Sequence, residues 1–147
     1  MSYDYDYING RKVPQMVISE DTIISGVHHG TVHVERGVLT ISGKLYGTLD
    51  AQSDTKVVIT GEQHGTVNVN DNALVIVSGK LHGTTSVSYN GTIEVENTGK
   101  LVGTLNNRGT VIVRGGFGGV LSGNGVILEG NGYIKQPKVE NGINYYE

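Results

Sequence analysis

Residues 42–49 read Ser-Gly-Lys-Leu-Tyr-Gly-Thr-Leu, residues 78–85 Ser-Gly-Lys-Leu-His-Gly-Thr-Thr, and residues 98–105 Thr-Gly-Lys-Leu-Val-Gly-Thr-Leu. The G-x-x-x-G element they share recurs six times, as Gly26–Gly30, Gly43–Gly47, Gly61–Gly65, Gly79–Gly83, Gly99–Gly103 and Gly115–Gly119. Successive first glycines are 17, 18, 18, 20 and 16 residues apart. A unit of that length is too short for two helices or a propeller blade. It suits one coil of a β-solenoid. Five of the second glycines are followed by threonine: Thr31, Thr48, Thr66, Thr84 and Thr104.

A solenoid stacks equivalent positions about 4.8 Å apart, so its units must agree column by column. Two residues before each first glycine stand Ile24, Ile41, Ile59, Val77, Asn97 and Val113, and four before stand Thr22, Leu39, Val57, Val75, Val95 and Val111. Two after stand His28, Leu45, Gln63, Leu81, Leu101 and Phe117, and the G-T step is followed by Val32, Leu49, Val67, Thr85, Leu105 and Leu121. These columns are mainly apolar and alternate with variable positions, as strands with one buried face require. They are the expected core, with its weakest stacking at Thr22, His28 and Asn97.

Composition agrees. The 147 residues include 23 glycines, and 20 Val plus 12 Ile against 9 Leu. That ratio disfavours helix and suits a pleated sheet. Glycine reaches positive φ without steric cost and lets neighbouring coils approach closely, so the repeated pairs mark corners. Asn90-Gly91, Asn124-Gly125 and Asn131-Gly132 are further turn signals. The expected fold is all-β: a single-stranded β-helix, or β-solenoid, of about six coils of 16–20 residues. Six coils make a rod of roughly 29 Å. Residues 22–129 form the solenoid, with residues 1–21 and 130–147 as cap segments that carry no repeat. Those ends hold Tyr3, Tyr5, Tyr7, Tyr145 and Tyr146.

The bulk numbers exclude several classes. A net charge of −3 argues against a nucleic-acid partner, which needs concentrated Lys and Arg. The absence of Cys removes disulfides, thiolate metal sites and cysteine nucleophiles. No apolar run approaches the roughly 20 residues of a membrane span, and the acidic, aromatic N-terminus is unlike a secretory signal. The expected location is the cytoplasm.

The pattern apolar–x–apolar–x–Gly–x–apolar–x–Gly–Thr over residues 22–129 resembles the bactofilin domain of bacterial polymer-forming cytoskeletal proteins. The resemblance implies a right-handed, triangular β-helix that polymerises end to end into non-polar filaments without nucleotide. Small free-standing proteins of this repeat type also resemble immunity proteins that neutralise interbacterial toxins.

Two outward features are candidate sites. The column three residues after the first glycine holds His29, Tyr46, His64, His82, Val102 and Gly118. Histidines about 5 Å apart can share a zinc ion. With no Asp or Glu in the column, a ladder of stacked rings is the simpler reading. Beside it Lys44, Glu62 and Lys80 alternate in sign, as cross-strand neighbours prefer. The second feature is Ile23, Thr40, Val58, Ile76, Glu96 and Ile112, which strict alternation turns outward. Val58 and Ile76 then form an apolar patch, covered either by the tyrosine-rich ends or by another protein.

The expected function is therefore non-catalytic, without cofactor or metal, and works through protein–protein contacts. The leading reading is a bactofilin-like scaffold that associates with itself, end to end or laterally. The first alternative is an immunity protein with an acidic, tyrosine-rich surface turned to a basic toxin. The second is a metal-dependent solenoid enzyme using His64 and His82. The expected partner-binding residues are Val58, Ile76, His64, His82, Tyr46, Tyr3, Tyr5, Tyr7, Tyr145 and Tyr146.

Overall fold

Over residues 16–134 each strand pairs in parallel with its counterpart one repeat away: Val57 lies opposite both Leu39 and Val75, and Ile59 opposite Ile41 and Val77. In the computed structural model, residues 5–8, 11–14, 16–134, 138–140 and 143–145 are described, with side chains over 16–134. The fold is all-β, and residues 16–134 form a parallel solenoid of about seven turns. No helix of these residues is long and apolar enough to cross a membrane.

Three stacks of strands make three faces. The first is the seven-stranded sheet Thr22–Ile24, Val38–Ile41, Lys56–Ile59, Leu74–Val77, Thr92–Val95, Thr110–Val113 and Ile127–Leu128. The second begins with Val27–His29 and Lys44–Tyr46, and the third with Met16–Ile18, Val32–Val34 and Leu49–Ala51. Beyond these, Glu62–Val69, Lys80–Val87, Lys100–Asn107 and Gly116–Gly123 each run across both faces. Their bend is the second glycine of each repeat. Gly65 has φ +124, and a Cβ there would collide with the Gly47 carbonyl one turn below. Backbone conformation and stacking distance both demand glycine at this corner.

The seventh turn corrects the expected six. Met16–Ile18 stacks on Val32–Val34 before the first glycine pair, and Tyr133–Ile134 stacks on Gly116–Phe117 after the last. The repeat glycines make room for the turn below them, and at the N-terminal end there is none at that corner: a Cβ on Gly26 would meet nothing within 4 Å.

The four expected columns line the core, with two corrections. In the 20-residue coil Val95, not Asn97, lies between Val77 and Val113, and Ile93 lies between Val75 and Val111. The two extra residues, Asn97 and Thr98, are spent in the turn before Gly99. There Gly99 N–H donates to Glu96 O at 2.8 Å, and Thr98 Oγ1 donates to Ser78 O at 2.9 Å. Asn97 is exposed. The same shift puts Glu94, not Glu96, above Ile76 on the outer surface. The second correction is a fifth core column: Ile18, Val34, Ala51, Val69 and Val87 are buried on the third face. At the first coil Thr22 and His28 are half-buried. Gln63 and Thr85 are polar yet fully buried in mid-rod.

Candidate functional site

On the second face, parallel register superposes the ring-bearing residues. His29 and Tyr46 stack with centroids 5.2 Å apart, and Tyr46 and His64 with centroids 4.9 Å apart. His82 follows at 5.8 Å, tilted by 60° from His64. The expected stack of rings is present at His29, Tyr46 and His64, and His82 leans out of it. Val102 and Gly118 continue the column, and both are buried.

The column does have a carboxylate at hand, contrary to expectation. Glu62 lies two residues before His64 on the same side of the strand, and its Oε1 stands 3.0 Å from His64 Nε2. Its Oε2 stands 3.4 Å from Lys44 Nζ. The hydrogen bond to His64, and then Lys44, hold the Glu62 carboxyl below its ordinary value. Lys44 and Glu62 thus pair across turns as their alternating signs suggested. Among the described residues no group of three or more His, Asp or Glu is arranged to hold a metal ion.

On the first face Val58 and Ile76 are adjacent in register and half-buried. Leu74 shares the strand of Ile76 and is also half-buried, which widens the apolar strip. Next to it Arg114 gathers three carboxylates: Glu94 at 3.2 Å, Glu96 at 3.4 Å and Glu129 at 3.0 Å. This cluster ties the irregular coil to the last turn.

The sequence reading missed a chain of polar groups on the third face. His33 Nδ1 lies 3.0 Å from Asp50 Oδ2, and Asn70 Nδ2 donates to Asp50 Oδ1 at 2.8 Å. His33 and Asp50 share an outward column, one turn apart. A signal for the pairing existed, since alignment on the G-T step sets those two residues opposite each other. Nearby, a hollow of about 580 Å³ is lined by Glu35, Asp50, Gln52, Asn70 and Asp71. A polar groove of about 320 Å³ is lined by Ser86, Ser88, Asn106, Arg108 and Ser122.

The two ends of the core differ. At the C-terminal end each face finishes on an open apolar side chain: Leu121 over Leu105 is 38% exposed, Leu128 over Val113 48%, and Ile134 over Phe117 47%. At the N-terminal end Ile18 and Ile24 are only 4% and 8% exposed.

Tyr3 and Tyr146 lie outside the described residues. Tyr5, Tyr7 and Tyr145 lie in the strands Tyr5–Ile8 and Ile143–Tyr145, whose side chains are likewise outside the description. Each of those strands pairs antiparallel with its neighbour, Arg11–Pro14 and Lys138–Glu140 respectively.

The fold and these surfaces define a parallel β-solenoid whose outward polar columns are bonded turn to turn. No known family model, curated protein or solved structure matches the chain.

Proposed function

We propose that the chain is a non-catalytic scaffold of bactofilin-like architecture that associates with itself through the C-terminal end of the solenoid. One observation carries the reading: all three faces end there on open core residues, Leu121, Leu128 and Ile134. Apolar columns cut open to water favour a cover, at roughly 25 cal/mol per Å² buried. Among the described residues the last strands also have a neighbour on one side only, leaving a backbone edge to pair. A second copy meeting the first about a two-fold axis supplies both the apolar cover and the strand edge. The outward polar groups support the same reading, because His33–Asp50–Asn70, His64–Glu62–Lys44 and the Arg114 cluster are engaged in holding turns together.

Sedimentation velocity over a wide concentration range tests it. The wild-type mass should rise with concentration, while a Leu121→Lys, Leu128→Lys variant should stay at the mass of one chain. A wild-type protein that remains a single chain throughout overturns the scaffold.

A second reading has its own observation. The corner between the third and first faces carries Glu20, Asp21, Asp54 and Asp71, all exposed, with Glu35 half-buried beside them. Such an edge suits a basic protein partner, as an immunity protein would require. That reading expects a monomer whose complex with the basic product of a neighbouring gene weakens with salt and with Asp54→Lys, Asp71→Lys. Salt-insensitive binding would exclude it.

A further inference from the structure

We infer that Asn124–Gly125 is a site of spontaneous backbone modification, at which the Gly125 amide nitrogen attacks the side-chain carbonyl carbon of Asn124. The Gly125 N–Cγ bond forms, the Cγ–Nδ2 bond breaks, and Nδ2 leaves as ammonia with the proton released from Gly125 N. Water then opens the cyclic imide at either carbonyl, giving aspartate or isoaspartate. The sequence exchanges one ammonia for one water, and nothing is oxidised or reduced.

The chemistry is open to any Asn-Gly pair, because glycine places no side chain against the attacking nitrogen. Three such pairs lie in the described solenoid, and the structure separates them. At Asn90-Gly91 the Gly91 N–H donates to Ser88 O at 2.8 Å, the Gly91 carbonyl accepts from Thr110 N at 3.0 Å, and Gly91 is buried. Asn90 is fixed there at φ +67. At Asn131-Gly132 the Gly132 N–H donates to Glu129 O at 2.9 Å. In both pairs the nucleophile is committed to a turn, which must open before attack.

Asn124-Gly125 is arranged the other way round. Among the described residues the Gly125 N–H has no acceptor, and a Cβ on Gly125 would meet nothing within 4 Å. The asparagine is the anchored partner. Its N–H donates to Asn107 O at 2.7 Å, and its Nδ2 donates to Gly109 O at 3.1 Å. A free nucleophile therefore sits next to a held electrophile, in an exposed segment with room to move.

The product changes the end of the rod. Converting the amide to a carboxylate removes the donor to Gly109 O and sets negative charge against that carbonyl. Isoaspartate also lengthens the backbone where buried Asn107 donates to the Asn124 and Gly125 carbonyls, at 3.3 and 3.4 Å. Both changes loosen the turn carrying Ile127–Leu128 and Tyr133–Ile134.

The test is to hold the folded full chain at mildly alkaline pH, sampling over days. Trypsin with a glutamyl protease, which cuts after Glu129, places Asn90, Asn124 and Asn131 in separate peptides for mass spectrometry. Asn124 should convert about tenfold faster than the other two, the factor expected when a turn hydrogen bond must first open. In urea the three rates should converge. Gly125→Ala should suppress conversion at Asn124 without moving the unfolding midpoint, since its Cβ has space. Equal rates at the three sites in the folded protein, or slowest conversion at Asn124, would overturn the assignment.

Discussion

Thr85 stands between Val67 and Leu105 in a core column, fully buried, and its Oγ1 has no hydrogen-bond partner. A buried hydroxyl without a partner keeps its desolvation cost and gains nothing in return. Thr85→Val, nearly the same shape, should therefore stabilise the fold by about 1–2 kcal/mol in urea denaturation. Gln63 looks similar, since its Oε1 is also unpartnered, but its Nε2 donates to Gly47 O at 2.9 Å. Gln63→Leu relieves one orphan and creates another at the Gly47 carbonyl, so its effect should stay within about 1 kcal/mol of zero. Register alone assigned both residues to the core from the sequence. Which of their atoms would find partners depends on carbonyls at the corner, which no pattern of residue types reveals. Glu62 gives a prediction with a pH sign. Its folded-state pKa is depressed below the ordinary 4.5 by His64 first and Lys44 next. The stabilisation it brings is therefore present above that value and lost as pH falls through the lowered one. Wild type should unfold at a higher denaturant midpoint than Glu62→Gln at neutral pH, and the gap should close below pH 4.5. A gap that persists into acid would show that Glu62 acts through packing.

At the scale of elements, a turn is limited by its neighbours more than by its own sequence. Gly26 and Gly61 occupy the same motif position, but a Cβ on Gly61 would collide with the Gly43 carbonyl, whereas Gly26 has open space. Gly61→Ala should cost more than about 2 kcal/mol and Gly26→Ala well under 1, measured by chemical denaturation. Comparable losses at both would mean that the glycines serve the chain locally, not the stack. The irregular coil offers a second case. Ile93 and Val95 pair with Val75 and Val77 in the same register as every other turn, so the surplus residues Asn97 and Thr98 bulge outside the ladder. Deleting the two leaves Glu96-Gly99-Lys100 where the preceding turn has Ser78-Gly79-Lys80. The shortened protein should fold with its unfolding temperature changed by only a few degrees. Alignment on glycine misplaced this coil because it charged the insertion to the strand and not to the turn. The alternation Ile93-x-Val95 was the available signal. The column Val34, Ala51, Val69, Val87 was likewise open to a period-two reading, since each of these residues lies two beyond a column that had been recognised.

The whole molecule is close to one-dimensional, so the stability of a turn depends on the turns that flank it. The glycine repeat made the interior legible but could not report the ends, where stacking continues outside the G-x-x-x-G pairs at Met16–Ile18 and Tyr133–Ile134. The ends are not equivalent. Ile18 and Ile24 are closed to solvent, while Leu121, Leu128 and Ile134 are open. Turns with one neighbour and an open core lose less when they detach, so local opening should start at the C-terminal end. In hydrogen exchange, amides of Ile127–Ile134 should exchange first, and those of Val57–Ile59 and Val75–Val77 about a hundredfold or more slowly. The strand Thr22–Ile24 should rank nearer the middle than the C-terminal turn does. Equal protection from Met16 to Ile134 would instead describe one cooperative unit. The same measurement bears on self-association. If a second copy covers the open end, raising protein concentration should slow exchange around Leu121 and Leu128 while leaving Thr22–Ile24 unchanged, because binding stabilises only the surface it buries. Slowing at both ends would point to head-to-tail contact, and slowing at neither would remove the C-terminal interface.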